Sequence, residues 1–343
     1  MSELIEYRKA RISELTLKYN NDCKVEVDNY NKKIAFLLKT RPINIQQQII
    51  IARNVLSAST TTLKNKYNKD VFAMQQYTPP SISVNKAKKA LLIGIDYIGT
   101  ASELSGCIND AMAIKERIMS KGFSDITVIT DLTTPKKPVK ATILSEFKKL
   151  LVNAKAGDFL FFAYSGHGSF TTDKNGDELD GCDELICTLD KNKITDDELK
   201  TIIQKNLKKD VTLFAMFDSC FSGSVLDLRY QYMDSLNFDA FTENSKDAVT
   251  AGNVFMISGC TDEQTSADAF INDKATGAMT WAMLETLQEK EKEKEKEKEN
   301  DILLLSWRDL LKTMRDKLKA SAFDQIPQFS SGSFVDIDMP VFI

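Results

Sequence analysis

"FAMFDSCFSGSVLD", residues 214–227, runs four apolar residues and then stops on Asp218, Ser219 and Cys220. A short apolar run bounded by small polar residues reads as a strand covered on both faces. "FLFFAYSGHGS", residues 159–169, ends the same way on His167, the chain's single histidine. Chemistry in an open parallel sheet collects just beyond the carboxyl ends of its strands. If these two strands are neighbours, a thiol and an imidazole face each other there. The imidazole then deprotonates the thiol or stabilises the thiolate, the nucleophilic form. Gly166 and Gly168 allow sharp turning and close substrate approach, and Gly223 and the backbone N–H of Cys220 are candidate oxyanion donors. Taken singly, a Cys after a strand reads as a small buried hydrophobe and a lone His as structural. The two gain weight from sharing one setting.

Working outward, strand "KALLIGIDY" is followed by helix "CINDAMAIKERIMSKG", strand "DITVITD" and helix "KATILSEFKKLLVNA". After the histidine strand come strand "ELICTLD" and helix "TDDELKTIIQKNL", which lead into the cysteine strand. A polar stretch from about 229 to 250 interrupts. Strand "NVFMISGC" and helices "TGAMTWAMLETLQ" and "WRDLLKTMRDKLK" follow. Alternating strands and helices imply right-handed crossovers, and so an α/β fold: a mostly parallel central sheet with helices on both faces. Residues 1 to about 77 instead carry apolar residues at three- and four-residue spacing, the pattern of a helical N-terminal extension. Thr78, Pro79 and Pro80 end it, and "SISVNKAKK" reads as a linker. "EKEKEKEKEKE", residues 289–299, places opposite charges at i,i+3 but like charges at i,i+4, and reads as a solvated helix extension or a loop.

Composition narrows the function. With 45 Lys and Arg against 49 Asp and Glu, and no basic stripe, a nucleic-acid surface is not expected. No run of ~18 apolar residues marks a membrane span, and the N-terminus has no secretory apolar run. The six cysteines are scattered without a CxxC pair, which favours reduced thiols and a cytoplasmic setting over staples or a zinc site. No strand is followed by a phosphate-binding GxxxxGK[ST] or GxGxxG loop, which argues against a nucleotide-binding protein.

"YSGHG" at 164–168 and "DSCFSGS" at 218–224 resemble metacaspases, the caspase-fold cysteine peptidases. So do "ELSGCINDA" at 103–111, "GDELDGCDELI" at 176–186, "ITDDEL" at 194–199, "ISGCTDEQTSADA" at 257–269, "GAMTWA" at 277–282 and "QIPQFSSG" at 325–332. These matches appear in the family's order across residues 86–343. The resemblance implies a caspase-like (caspase-hemoglobinase) fold and a Cys220–His167 dyad that cleaves peptides and proteins after Arg or Lys at P1. It places Cys107, Asp110, Ser165 and Asp218 in the S1 pocket. Two carboxylates at the base of a narrow pocket favour a cationic side chain and reject an anionic one. For Asp110 the bland reading is a helix-start charge.

Calcium activation is also implied, with Asp183, Asp196, Asp197 and Asp227 on the positions of the ion site. Four carboxylates suit Ca²⁺ and repel one another when empty. Their bland readings are helix-start charges for Asp196 and Asp197, and a surface position for Asp227. "DKNGDELDGCDE" superficially looks like an EF-hand loop, but it lacks that loop's ligand spacing and closing Glu.

The expected organisation is a helical region and linker over 1–85 and a peptidase domain over 86–343. The latter divides into a large-subunit-like part (86–229), a linker (230–250) and a small-subunit-like part (251–343) with the EK insertion. The arrangement resembles the first type of metacaspase, with an atypical arm in place of a Pro/Gln-rich or zinc-finger region. A monomer is implied, without nucleic-acid or membrane partners. Self-cleavage, as in a zymogen, has candidate sites at Lys86, Lys88 and Lys89 and at Lys246. Programmed cell death is a process the family serves. The alternative is an inactive caspase-fold protein acting as a protein-binding scaffold.

Overall fold

The computed structural model describes residues 2–77, 86–172, 182–220, 222–232, 241–243, 249–259, 268–271, 274–297, 305–339 and 341. The chain forms two compact units, residues 1–79 and 80–343. In the first, α1 (Ser2–Thr40) and α2 (Ile45–Gln76) make an antiparallel hairpin. Along α2 the shielded residues fall at 45, 48–49, 52, 56, 59–60, 63, 66–67, 70–71 and 73–74, a stripe that recurs every three to four residues. That is the seam of a two-stranded coiled coil. Tyr19 stacks on Tyr67 across it at 4.7 Å, and the Arg8 guanidinium donates to the Tyr77 carbonyl.

The second unit contains β1 (Lys88–Gly94), α3 (Cys107–Met119), β2 (Asp125–Thr130), α4 (Lys140–Val152), β3 (Phe159–Ser165), β4 (Gly168–Thr172), β5 (Cys182–Cys187), β6 (Lys193–Thr195), α5 (Asp196–Asn206) and β7 (Thr212–Asp218). Then follow β8 (Tyr230–Gln231), β9 (Thr242–Glu243), β10 (Asn253–Ser258), β11 (Asp268–Ile271), β12 (Lys274–Gly277), α6 (Ala278–Glu297), α7 (Trp307–Ala320) and β13 (Gln328–Ser331). The main sheet has the order β2-β1-β3-β7-β10-β13-β8-β9. Its first five strands are parallel, and β13, β8 and β9 are added antiparallel.

Strand alternation decides what each face carries. Leu91, Ile93, Leu160, Phe162, Leu213, Ala215 and Phe217 pack with Ile143 and Phe147 of α4 and Leu199 and Ile203 of α5. Residues of the other parity meet α3, α6 and α7: Phe214 and Phe255 both stack on Trp307. Every residue of β3 and β7 is buried, which explains why neither strand alternates in sequence. By the same parity Ser165 and Asp218 point to the α3–α6 side.

Two sequence expectations shift. Strand "ELICTLD" leaves the main sheet and forms a separate antiparallel sheet, β4-β5-β6. The stretch read as a linker contributes β8 and β9 to the sheet edge, with the Tyr232 hydroxyl buried against Val335. The start of the EK run belongs to α6, where Glu291 pairs with Arg117 of α3 and with Lys121 just beyond that helix, and Glu289 with Lys317 of α7. Such pairs contribute ~1 kcal/mol or less each. The segment 78–85, Lys246 and Cys260 lie outside the described residues. No described helix is long and apolar enough to cross a membrane, and the five described cysteines are free thiols.

Candidate active site

Parallel pairing of β3 with β7 sets Ser165 directly opposite Asp218. Beyond this pair the two strand ends stay in contact. The Gly166 N–H donates to the Asp218 carbonyl at 3.3 Å. A Cβ on Gly168 would stand 1.9 Å from the Cys220 carbonyl oxygen and 3.2 Å from its nitrogen, so only glycine fits there. His167 is therefore bracketed by two residues that both touch the backbone of the Cys220 turn. That turn is closed by the Ser222 hydroxyl, which donates to the Ser219 carbonyl at 2.8 Å.

The His167 ring is oriented from its far side. Nε2 lies 2.8 Å from the Ser102 carbonyl oxygen, which can only accept. Nε2 therefore carries a proton, and in the neutral ring the lone pair is on Nδ1. The Tyr97 ring packs against the imidazole with centroids 4.8 Å apart. On the other flank the Cys187 N–H donates to the His167 carbonyl at 3.0 Å. Burial pushes the Cys187 thiol up, and Cys220 is close enough to add to that shift. A partly exposed thiol and an oriented imidazole on adjoining strand ends can act as nucleophile and general base.

Below this pair sits a buried polar nest. Asp110 is fully buried on the first turn of α3 and accepts from the Ser165 hydroxyl (2.6 Å), the Thr276 hydroxyl (2.7 Å) and the Gly277 N–H (2.9 Å). Asp218 Oδ2 accepts from both the N–H and the hydroxyl of Thr280, each at 2.8 Å. Gly277 lies between the two carboxylates: a Cβ there would be 2.2 Å from Asp218 Oδ2 and 2.7 Å from Asp110 Oδ2. Burial first, and the Asp218 charge second, push the Asp110 carboxyl up to about 7, while its three donors oppose the shift. Cys107 is buried beside them, and burial holds its thiol neutral. All four residues expected in a cation pocket thus gather at one place. Thr276, Gly277 and Thr280, which complete it, came from no separate reading, although "GAMTWA" spans two of them. Nothing in their spacing signals a carboxylate partner more than 160 positions away for Thr276 and Gly277.

The acidic positions divide. Asp183, Asp196 and Asp197 bring carboxylate oxygens within 4.8 Å of one another. Asp196 opens α5, whose start is a capping box of Thr195 and Glu198. Its oxygens accept from the Glu184 N–H (2.7 Å) and the Asp197 N–H (2.6 Å). Burial chiefly, with the Asp183 charge adding, raises Asp196 to about 6. A set of hard oxygen donors whose charges repel fits a divalent cation such as Ca²⁺. Asp227 is not in this group. It sits buried at positive φ and pairs with Lys200.

A family model described as "Metacaspase, peptidase C14 domain" matches residues 88–229. Metacaspase-1 of Mycosarcoma maydis is 34% identical over 307 residues, covering 75% of this chain and 73% of that protein. Metacaspase-1 of Schizosaccharomyces pombe is 32% identical over 305 residues, 74% of this chain and 69% of that one. Metacaspase-1A of Neurospora crassa is 35% identical over 304 residues, and the match spans 74% of this chain and 64% of the relative's length. The crystal structure of a Geobacter sulfurreducens protein shares the fold with a TM-score of 0.53 at 24% identity, covering 74% of this chain and 97% of that one.

Proposed function

The chain belongs to the metacaspases, a family of cysteine-type peptidases, and on that premise we propose that it is an endopeptidase cutting after Arg or Lys, activated by calcium. The observation that carries this reading is the bracketing of His167 by Gly166 and Gly168, each in contact with the Cys220 turn. Cys220 is the nucleophile. His167 Nδ1 takes its proton and later returns one to the leaving amine. The thiolate attacks the scissile carbonyl, the amine leaves, and water releases the acyl group from the sulfur.

Asp110 and Asp218 receive the P1 cation, with Cys107 and Ser165 lining the same pocket. An Arg or Lys side chain would bring its cation against these two buried carboxylates. An anionic P1 residue would meet two carboxylates and be rejected.

Asp183, Asp196 and Asp197 hold Ca²⁺, which neutralises their mutual repulsion. Asp227 enters the ligand set only by leaving Lys200. β5 connects this cluster to the dyad: Asp183 is near its start, and Cys187 at its end bonds the His167 carbonyl. Fixing β5 at one end therefore steadies His167 at the other.

For self-processing, Lys86 is the best placed of the linker lysines. Lys88 and Lys89 lie in β1, where Lys89 is paired with both neighbouring strands. Cleavage after either would require unzipping the sheet. The protein acts on peptides and proteins, and as a monomer: among the described residues the sheet edge at β9 spans two residues and is tied down by the Arg229–Glu243 ion pair. Fluorogenic peptides ending in Arg, Lys or Asp, assayed with and without calcium, test the reading. Calcium-stimulated cleavage of the first two supports it, and cleavage of the Asp peptide alone overturns it.

A further inference from the structure

The backbone of His167 is gripped by two phenols. Tyr164 Oη lies 2.7 Å from the His167 carbonyl oxygen and 2.8 Å from that of Cys187. Tyr97 Oη accepts from the His167 N–H at 3.0 Å, lies 2.8 Å from the Cys187 carbonyl oxygen, and is 3.1 Å from Tyr164 Oη. Two hydroxyl protons and one N–H serve this cluster, and one assignment satisfies both main-chain groups of His167: Tyr164 donates to its carbonyl, its N–H donates to Tyr97, and Tyr97 donates to the Cys187 carbonyl, leaving the Tyr164–Tyr97 and Tyr164–Cys187 approaches without a proton. The two polar groups of the His167 main chain are thus bound by different phenols of one hydroxyl pair.

Two further observations point the same way. A Cβ on Gly166 would stand 2.7 Å from Tyr164 Oη and 3.0 Å from Tyr97 Oη. The glycine preceding the histidine is therefore the space in which the hydroxyl pair sits. Tyr97 itself holds φ of +52°, a conformation that a bulky residue adopts only when its surroundings impose it. Here Asp131 imposes it, accepting from the N–H groups of Asp96 and Ile98 on either side, both at 3.0 Å. Burial raises both phenols well above their ordinary range, so they stay neutral and hold position without exchanging protons with a substrate.

We propose that Tyr97 and Tyr164 are positioning residues that set the backbone angles of His167 and so aim its ring at Cys220, with Gly166 as their steric counterpart. This rests on the reading of His167 as the general base.

The test uses the full chain and the variants Tyr97→Phe and Tyr164→Phe. The control is Tyr232→Phe, another buried phenol, which donates to the Val335 carbonyl (2.8 Å) and accepts from its N–H (2.7 Å). His167 is the only histidine, so its ring ¹⁵N signals need no assignment. In the wild type they should report one neutral tautomer, protonated at Nε2. In Tyr97→Phe and Tyr164→Phe the tautomers should average, and kcat on an Arg peptide should fall about ten-fold with KM within about two-fold. Tyr232→Phe should change neither. Unaltered ring signals and kcat in both site variants overturn the proposal, as does an equal loss of kcat in the control. If the wild type cleaves nothing, the peptidase reading fails, and the ring signals alone decide the positioning claim. Should Tyr97→Phe not fold, Tyr164→Phe decides it, because the His167 carbonyl keeps the Cys187 N–H as a donor.

Discussion

Ser165 and Asp218 stand side by side at the carboxyl ends of β3 and β7, and two residues past each along the chain are His167 and Cys220. One register thus aligns the proposed catalytic pair and the proposed specificity pocket together. Strand parity turns Ser165 and Asp218 toward α3 and α6, where Asp110 and Thr280 meet them. The turns beyond bring the imidazole and the thiol to the sheet's rim.

Replacing His167 by Ala removes the base while leaving the strand ends intact. Cleavage of an Arg peptide should drop about 10³-fold or more, from the combined loss of proton transfer and thiolate stabilisation. Steady-state kinetics at matched folded fraction, read by circular dichroism, will show it.

Asp110→Asn should weaken an Arg substrate by about 2–5 kcal/mol, the cost of removing one partner from a buried charge pair. The same variant reports on stability. The folded state holds the Asp110 proton up to about pH 7, against 3.8 for the ordinary group. Between those values it binds more protons than the unfolded state, so this pair makes stability fall as pH rises. Urea unfolding from pH 4.5 to 7.5 should show a shallower decline in Asp110→Asn.

Gly277→Ala should close the pocket from below. Its Cβ would fall 2.2 Å from Asp218 Oδ2, forcing the carboxylate off the Thr280 donors. Overpacking of this kind costs about 1–3 kcal/mol of stability. The kcat/KM for Arg and Lys peptides should drop further than thermal unfolding predicts, and comparing the two measurements separates blockage from misfolding.

Calcium titration should separate the four acidic positions. Asp183→Asn and Asp196→Asn should each weaken binding about ten-fold or more by calorimetry, because each removes a clustered donor. Asp227→Asn should change affinity less and stability more, since it removes the carboxylate of a largely buried ion pair with Lys200.

Much of this was legible in the chain. "FLFFAYS" and "TLFAMFD" announce two-face-covered strands by their unbroken apolar character, and the motifs after them carry the proposed dyad. Asp110 and Asp218 were reachable because each stands next to a motif on one element. Thr276, Thr280 and Tyr97 were not, because their roles arise from contacts between segments that no local period encodes. The departure of β5 from the main sheet was hidden for a similar reason. Its apolar run suits either sheet, and only the pairing of Gly168 with Ile186 decides which. Asp227 was named by the resemblance alone, and in this structure its carboxylate pairs with Lys200 rather than joining Asp183, Asp196 and Asp197.

The central claim is most directly tested by treating the full chain, with calcium, with a peptidyl-Arg chloromethyl ketone and locating the adduct by mass spectrometry. The arrangement described here predicts a single adduct on Cys220, lost in His167→Ala and in Asp110→Asn. An adduct spread over the other cysteines, or one on Cys220 formed equally well in both variants, would contradict it.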